Sequence, residues 1–362
     1  MLIWLFAIVT AIQLLYWWGL FARLAFFRPG EPPAKSTPNP VSVIVCAYNE
    51  ADNLRQHLPR ILAQTYRSLN VVVVNDNSSD KTEYVLSSFQ DKHPTLHIVR
   101  LTTPTAAGKK DALTAGIRAA PNELLLLTDA DCQPATERWA DRMVGNFSDE
   151  QAEVVLGYGP HERLPGFFNR MVRFETVWTA IQYLSFALAG MPYMGVGRNL
   201  AYRKRLFERV GGFTGHADLA SGDDDLFINA VADRQNVRIE LHPDSFVYSV
   251  PKTSLRAWMR QKTRHLSTGT RYRLLHKTLL GSYTVSHLLH YVAALVLLIC
   301  TDHTALVWTG LLVRWVSLTV LGALICRRLR ESDLIPLLPL FDLLLLGYYF
   351  LMATVPFRRI RW

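Results

Sequence analysis

The chain has 362 residues, half of them hydrophobic, and a formal net charge of +9. It is too apolar for an ordinary soluble enzyme, and the apolar excess is localised at its two ends. The charge does not indicate nucleic acid: it gathers in Lys252, Arg256, Arg260, Lys262, Arg264, Arg271, Arg273 and Lys277, directly before a hydrophobic stretch and with no acid among them. Cations so placed mark the cytoplasmic side of a membrane and hold anionic lipid, and no nucleic-acid-binding motif accompanies them.

Met1 to Leu20 is almost unbroken apolar sequence, long enough to cross a bilayer. With no basic leader and no small-residue cleavage site, it reads as an uncleaved anchor over residues 1–22, flanked by Arg23, Arg28 and Lys35. Residues 29–40 hold five prolines and predict a stiff linker. Cys46, Cys132, Cys300 and Cys326 show no C-x-x-C spacing, which predicts reduced thiols and a cytoplasmic globular domain over residues 41–250.

In that domain, Val41 to Cys46 predicts a buried strand, and Ala47-Tyr48-Asn49-Glu50 the turn into a helix carrying Leu54, Leu58, Ile61 and Leu62. Val71 to Val74 predicts a second strand that ends at Asn75-Asp76, with a helix containing Tyr84, Val85 and Phe89 after it. His97 to Leu101 is a third short strand, and Thr105 to Lys110 leads into a helix over Asp111 to Ala119. Four consecutive leucines then form a strand buried on both faces that ends in Asp129 and Asp131. Two acids at the rim of a parallel sheet suit a hard divalent ion that also holds a diphosphate. The alternation predicts a mostly parallel α/β sheet with polar residues gathered at strand carboxyl ends.

Ala47-Tyr48-Asn49-Glu50, Asn75-Asp76 with Ser78 and Asp80, Gly108-Lys109 followed by Ala112, Leu113 and Gly116, and Asp129-x-Asp131 occur in that order. Together they resemble the inverting GT-A glycosyltransferases of family two, which use nucleotide-diphosphate sugars, usually of uridine. The resemblance implies a Rossmann-like GT-A domain. In it Ala47, Tyr48, Glu50, Asp76 and Lys109 would lie against the nucleotide, and Asp131, helped by Asp129, would hold Mg²⁺ or Mn²⁺. A turn aromatic and a surface cation are the alternative readings of Tyr48 and Lys110.

Val154 to Tyr158 predicts another strand, and Phe167 to Leu188 a bulky helix that is either part of the core or laid on the bilayer surface. Met194 to Arg203 matches the family's glycine-and-asparagine segment, so Gly197 and Asn199 are expected near the donor sugar and Arg198 near the acceptor. In Gly222-Asp223-Asp224-Asp225 the family places its catalytic base at Asp224, with Asp223 beside it. A one-residue slip to Asp225, which is also an acceptor-side candidate, and an acid-decorated helix start are the alternatives. Gln261-Lys-Thr-Arg264-His265 matches the family's Q-x-x-R-W motif except at His265. Arg264 would stabilise the departing diphosphate, Gln261 would help close the site, and His265 would face the acceptor. A histidine there is a smaller stacking surface than tryptophan, which weighs against a processive polymerase.

Residues 251–277 are expected to form basic interfacial helices, and residues 279–356 three membrane segments: Leu279–Cys300, Thr304–Cys326 and Leu334–Pro356. The last would leave Arg358, Arg359 and Arg361 outside, against the positive-inside rule, unless Pro336, Pro339 and Asp342 make it re-entrant. Arg314 and Asp342 are intramembrane charges, either paired or lining a lipid or glycan path. The layout is similar to ceramide glucosyltransferases and chitin-oligosaccharide synthases. That implies a multi-pass enzyme of the cell's inner membrane that adds sugar to a lipid or lipid-linked glycan. A hyaluronan or poly-N-acetylglucosamine type of polysaccharide synthase, working as a homodimer or with a partner, is the alternative. A non-catalytic sugar-nucleotide-binding scaffold is the second.

Overall fold

The computed structural model describes residues 1–30, 39–102, 108–219 and 221–354. Much of the predicted linker, Thr105 to Ala107, and the terminal Arg358, Arg359 and Arg361 lie outside the described residues. An N-terminal rod comes first: α1 (Leu2–Leu14) passes through a π-helical stretch (Leu15–Phe21) into α2 (Ala22–Ala25). Strands and helices then alternate as β1 (Val41–Ala47), α3 (Ala51–Leu62), β2 (Leu69–Asp76), α4 (Thr82–Gln90), β3 (Leu96–Leu101), α5 (Lys109–Ala119) and β4 (Leu124–Asp129). The globular part continues with β5 (Cys132–Pro134), α6 (Trp139–Gly145), β6 (Val154–Leu156), α7 (Phe167–Leu188), β7 (Leu200–Arg203), α8 (Lys204–Arg209), α9 (Asp225–Val231), β8 (Val237–Ile239) and β9 (Val247–Ser249). Four helices close the described chain: α10 (Leu255–Leu266), α11 (Leu274–Cys300), α12 (Thr304–Arg328) and α13 (Leu338–Thr354).

Seven strands form one sheet in the order β3-β2-β1-β4-β7-β6-β8, and β5 pairs with β9 in a small second sheet. β1 is parallel to β2 and β4, and β2 to β3, while β7 runs antiparallel to β4 and β6. The leucines of β4 alternate between two cores, as the two-residue period of a strand requires. Leu124 and Leu126 pack with α3, α4 and α6, and Leu125 and Leu127 pack on the other face with α5 and α7. Gly116 lets α5 lie close on that face, since a Cβ there would stand 2.9 Å from methyls of both Ile44 and Val74. The strand predicted over Val154 to Tyr158 stops at Leu156.

The second core does not end at the sheet. Trp178 of α7 packs against Trp17, Phe21 and Tyr283, which belong to the N-terminal rod and α11. Of the two readings of α7, the structure has the core helix. Its Arg173 is buried and donates to both Glu331 and Asp333 in the turn between α12 and α13. Phe174 stacks on Phe341 with ring centroids 4.6 Å apart. The globular domain and the helices thus share one interior.

Four helices, Leu2–Ala25, Leu274–Cys300, Thr304–Arg328 and Ser332–Met352, are long and apolar enough to cross a membrane. The last enters through a 3₁₀ turn, Ser332–Leu337, and continues without reversal. Pro336 and Pro339 sit at its start, where a missing N–H costs little. Arg314 and Asp342 are paired, two-pronged, at 2.6 and 2.9 Å. Arg314 also donates to Gln13 of α1 and to the Tyr291 hydroxyl of α11, so one guanidinium ties all four rods together. With both charges at 1% exposure or less, the pair stands only because its geometry is complete. Arg314→Met, which strands the Asp342 carboxylate, is expected to cost about 3–5 kcal/mol. Arg314→Met with Asp342→Leu should recover part of it, as read by unfolding in detergent.

Candidate active site

The cleft opens at the carboxyl ends of β1, β2 and β4, where parallel strands leave a crevice. Two loops interlock along its rim. Ser79 N–H donates to Asn49 Oδ1 at 2.8 Å, Ala51 N–H to Asp80 Oδ2 at 3.1 Å, and Glu50 N–H to the Thr82 hydroxyl at 2.9 Å. This explains why Ser78 and Asp80 accompany the Asn75-Asp76 pair: they set the loop that carries Glu50. Tyr48 is exposed on the rim, and Asp76 is buried at the end of β2. Burial, only partly offset by the Asn53 amide, raises the Glu50 carboxyl above its ordinary range.

Lys109, at the start of α5, sits in the middle of the cleft. Its Nζ is 2.7 Å from Asp129 Oδ1 and 3.2 Å from Asp223 Oδ2. Burial works against the charge, but Asp129, Asp223 and Asp224 outweigh it and hold the amine well above the ordinary lysine range. Burial would likewise raise Asp223, yet Lys109 wins and keeps that carboxyl below its ordinary value. Asp224 is different. It caps α9, its Oδ2 accepts the Gly197 N–H at 2.7 Å, and its Oδ1 accepts the Asp225 N–H at 2.7 Å. Burial and the charges of Asp223 and Asp225 push it up to about 7, against the pull of Lys109. Gly197 permits this approach, since a Cβ there would be 3.3 Å from Asp224 Oδ2. Neighbouring carboxyls with separated pKa values are a mark of acid–base assignment.

Asp129, Asp131 and Cys132 place their donor atoms within 4.8 Å of one another. Cys132 is fully buried with its thiol turned to Asp131 Oδ1 at 3.3 Å, and burial first, then the adjacent carboxylates, hold that thiol well above its ordinary range. The two half-exposed carboxylates remain, and as hard oxygen donors they fit Mg²⁺ or Mn²⁺.

Gln261, Arg264 and His265 lie on α10. Arg264 Nε is buried with no partner among the described residues, a donor left for an anion. His265 is exposed at the end of α10. Loss of solvent around the ring, then the nearby cations Lys262, Arg264, Arg198 and Lys109, lower its imidazole below the ordinary range. Arg198 spends Nε and Nη2 on the Gly159 carbonyl.

Four of the side chains named from the sequence are committed inside the protein. Asn199 is fully buried and its amide is spent: it accepts from Trp139 Nε1 at 2.9 Å and donates to the Tyr158 and Ser245 carbonyls at 2.8 Å each. It braces the site from within. The Ala47 side chain lies in the core at 1% exposure, leaving only its backbone for a nucleotide. Lys110 is neither a ligand contact nor a surface cation, for it is buried and donates to the carbonyls of His216 and Leu219. Asp225, expected towards the acceptor, is buried and accepts from Thr268 and Tyr272. No motif flags Thr268 or Tyr272, nor Glu175, whose carboxylate pairs with Lys262 inside the Q-x-x-R segment.

Two family descriptions match the chain, Glycosyl transferase family 2 over residues 42–211 and Glycosyl transferase family group 2 over residues 152–355. The chain belongs to glycosyltransferase family 2. It is 28% identical over 244 residues to a probable glycosyltransferase, YdaM, of Bacillus subtilis, covering 65% of this chain and 56% of that one. It is 31% identical over 193 residues to the glycosyltransferase AglE of Haloferax volcanii, covering 51% of this chain and 58% of that one. The chain therefore spans a little over half the length of these relatives. Among solved structures it is similar to the mannosyltransferase PcManGT of Pyrobaculum calidifontis, in complex with GDP-Man and Mn²⁺. The TM-score is 0.60 at 22% identity, over 96% of this chain and 99% of that one. That likeness is one of fold, and the fold is GT-A.

In this family 2 glycosyltransferase the Lys109 ammonium is the counter-charge that lets the acids of β4 and α9 share one cleft. Lys109→Met removes it, and the buried Asp223 carboxyl then rises above its unfolded value. A carboxyl so raised costs stability once ionised and none when protonated. The melting temperature of Lys109→Met should therefore lie well below the wild type's at pH 8, and the gap should narrow towards pH 5.

Proposed function

We propose that this transferase is a metal-dependent, inverting enzyme of the inner membrane, with its catalytic domain cytoplasmic. It would move a sugar from a nucleotide-diphosphate sugar to a hydroxyl of a lipid or lipid-linked glycan. The observation that carries the reading is Asp224: a carboxyl at the cleft, held by two backbone N–H groups and pushed up to about 7. A base poised there accepts a proton near neutral pH far better than an ordinary aspartate.

In this mechanism Asp224 takes the acceptor hydroxyl proton as the oxygen attacks the anomeric carbon, and the nucleoside diphosphate leaves from the opposite face. Arg264 meets the negative charge that develops on the leaving group, with Gln261 beside it on the same helix. Asp131 and Asp129 would hold Mg²⁺ or Mn²⁺, which supplies charge neutralisation on the diphosphate. The fold neighbour bound to GDP-Man and Mn²⁺ supports both donor class and metal. Glu50, Asp76 and Tyr48 are the nucleoside side of the cleft.

The membrane helices support a lipid-borne acceptor. α10 ends at Leu266 and the first C-terminal span starts at Leu274, so the acceptor wall abuts the bilayer surface. The interior of the four-helix bundle is filled by Arg314, Asp342, Gln13, His287 and Tyr283, all buried, which speaks against a glycan lumen within one copy. A polysaccharide synthase would need that path from a second copy or a partner. A non-catalytic scaffold has no use for a base.

Incubation in lipid nanodiscs with Mn²⁺ or Mg²⁺ and radiolabelled UDP- or GDP-sugars should place label in organic-extractable product, and chelation should abolish it. High-mass aqueous product would replace this reading with the polymerase. Asp224 works deprotonated, so kcat/KM should rise with pH through about 7 and then level. Asp224→Asn should lower turnover by roughly 10²–10⁴-fold without unfolding. Retained activity would remove Asp224 from the mechanism.

A further inference from the structure

Asp225 is costly where it stands. Burying a carboxyl costs free energy unless its oxygens are hydrogen-bonded, and an apolar side chain would fill the space at less expense. Its Oδ1 accepts the Leu226 N–H at 2.7 Å, and its Oδ2 accepts two hydroxyls, those of Thr268 and Tyr272, the latter at 2.7 Å. Thr268 is fully buried beyond the last turn of α10, with its backbone N–H towards the His265 carbonyl. That turn bears Arg264. On the other side, the Asp225 N–H holds Asp224 Oδ1 at 2.7 Å. One residue thus joins the proton-accepting carboxylate to the helix end that carries the leaving-group arginine. A second link runs alongside, where Asn229 of α9 meets His276 Nδ1 at 3.0 Å and accepts the Arg273 N–H at 3.2 Å.

We propose that Thr268 and Tyr272 are positioning residues: through Asp225 they fix the distance between Asp224 and Arg264, so that the chain entering the first C-terminal span sets the catalytic geometry. This rests on the reading of Asp224 as base and Arg264 as diphosphate partner. The pairing favours geometry over mere filling because both hydroxyls converge on one oxygen, whose angle is then fixed.

The test uses the full chain in nanodiscs with Thr268→Val, Tyr272→Phe, Asp225→Asn, and Tyr272→Phe combined with Asp225→Asn. Each single variant should lower kcat per nucleoside-diphosphate-binding site by roughly ten- to a hundredfold, since small misplacements are that costly. Donor and acceptor KM should stay within about twofold, and the double variant should be no worse than the poorer single one. Unchanged kcat, or a loss confined to acceptor KM, overturns the proposal. An arm without turnover decides it independently. Hydrogen exchange over residues 255–272 should slow when UDP or GDP and Mn²⁺ bind the wild type, and should not slow in Tyr272→Phe. Equal slowing in both overturns the latch, whereas a fully active Asp224→Asn sinks the base assignment and leaves the exchange result standing.

Discussion

One cation among several carboxylates governs this structure. Asp129 and Asp223 come from segments far apart in the chain, the end of β4 and the approach to α9, and like charges at such range repel strongly away from bulk water. Lys109 lies within 2.7 and 3.2 Å of them and makes their meeting possible. It is delivered by the first turn of α5, whose close seat on β1 and β2 depends on Gly116. Among the described residues Asp224 has no salt-bridge partner and is held by backbone N–H groups, and burial, with the charges of Asp223 and Asp225, raises its basicity. Stability and reactivity are thus divided between adjacent residues.

The second organising feature is the continuity of the interior. α7 is buried along most of its length and faces three partners at once: the sheet, the N-terminal rod, and the turn between α12 and α13. Its Glu175 pairs with Lys262 of α10, and two residues earlier Arg173 grips Glu331 and Asp333. The helix bearing Arg264 is therefore referenced to the membrane bundle, and the bundle is itself pinned by Arg314. A cleft whose wall is fixed to the bilayer-facing helices suits an acceptor that arrives from the lipid surface.

Much of this was legible in the sequence. Periodicity alone marked the parallel half of the sheet, because strands buried on both faces appear as apolar runs and the intervening helices carry apolar residues three and four apart. Asp129 and Asp131 were legible as two acids at the end of a buried strand, whereas the triple aspartate was assigned to the same cleft only by the family resemblance. What stayed hidden were side-chain partners set by distant chain. Lys110 turns inward to carbonyls 106 and 109 residues away, and Asn199 is consumed by Trp139, Tyr158 and Ser245. A motif identifies residue types near a site, and it does not say which of them face the ligand and which brace those that do. Arg314 and Asp342 stand out in the sequence as intramembrane charges, either paired or lining a path, and the structure shows the pair, with Gln13 and Tyr291 completing the set.

The most direct test of single displacement with Asp224 as base is the anomeric configuration of the glycosidic linkage in the product, read by proton NMR. The account requires a linkage of configuration opposite to that of the donor. Retention would contradict it, because a double displacement needs a protein nucleophile at the anomeric carbon and Asp224 would then have another role.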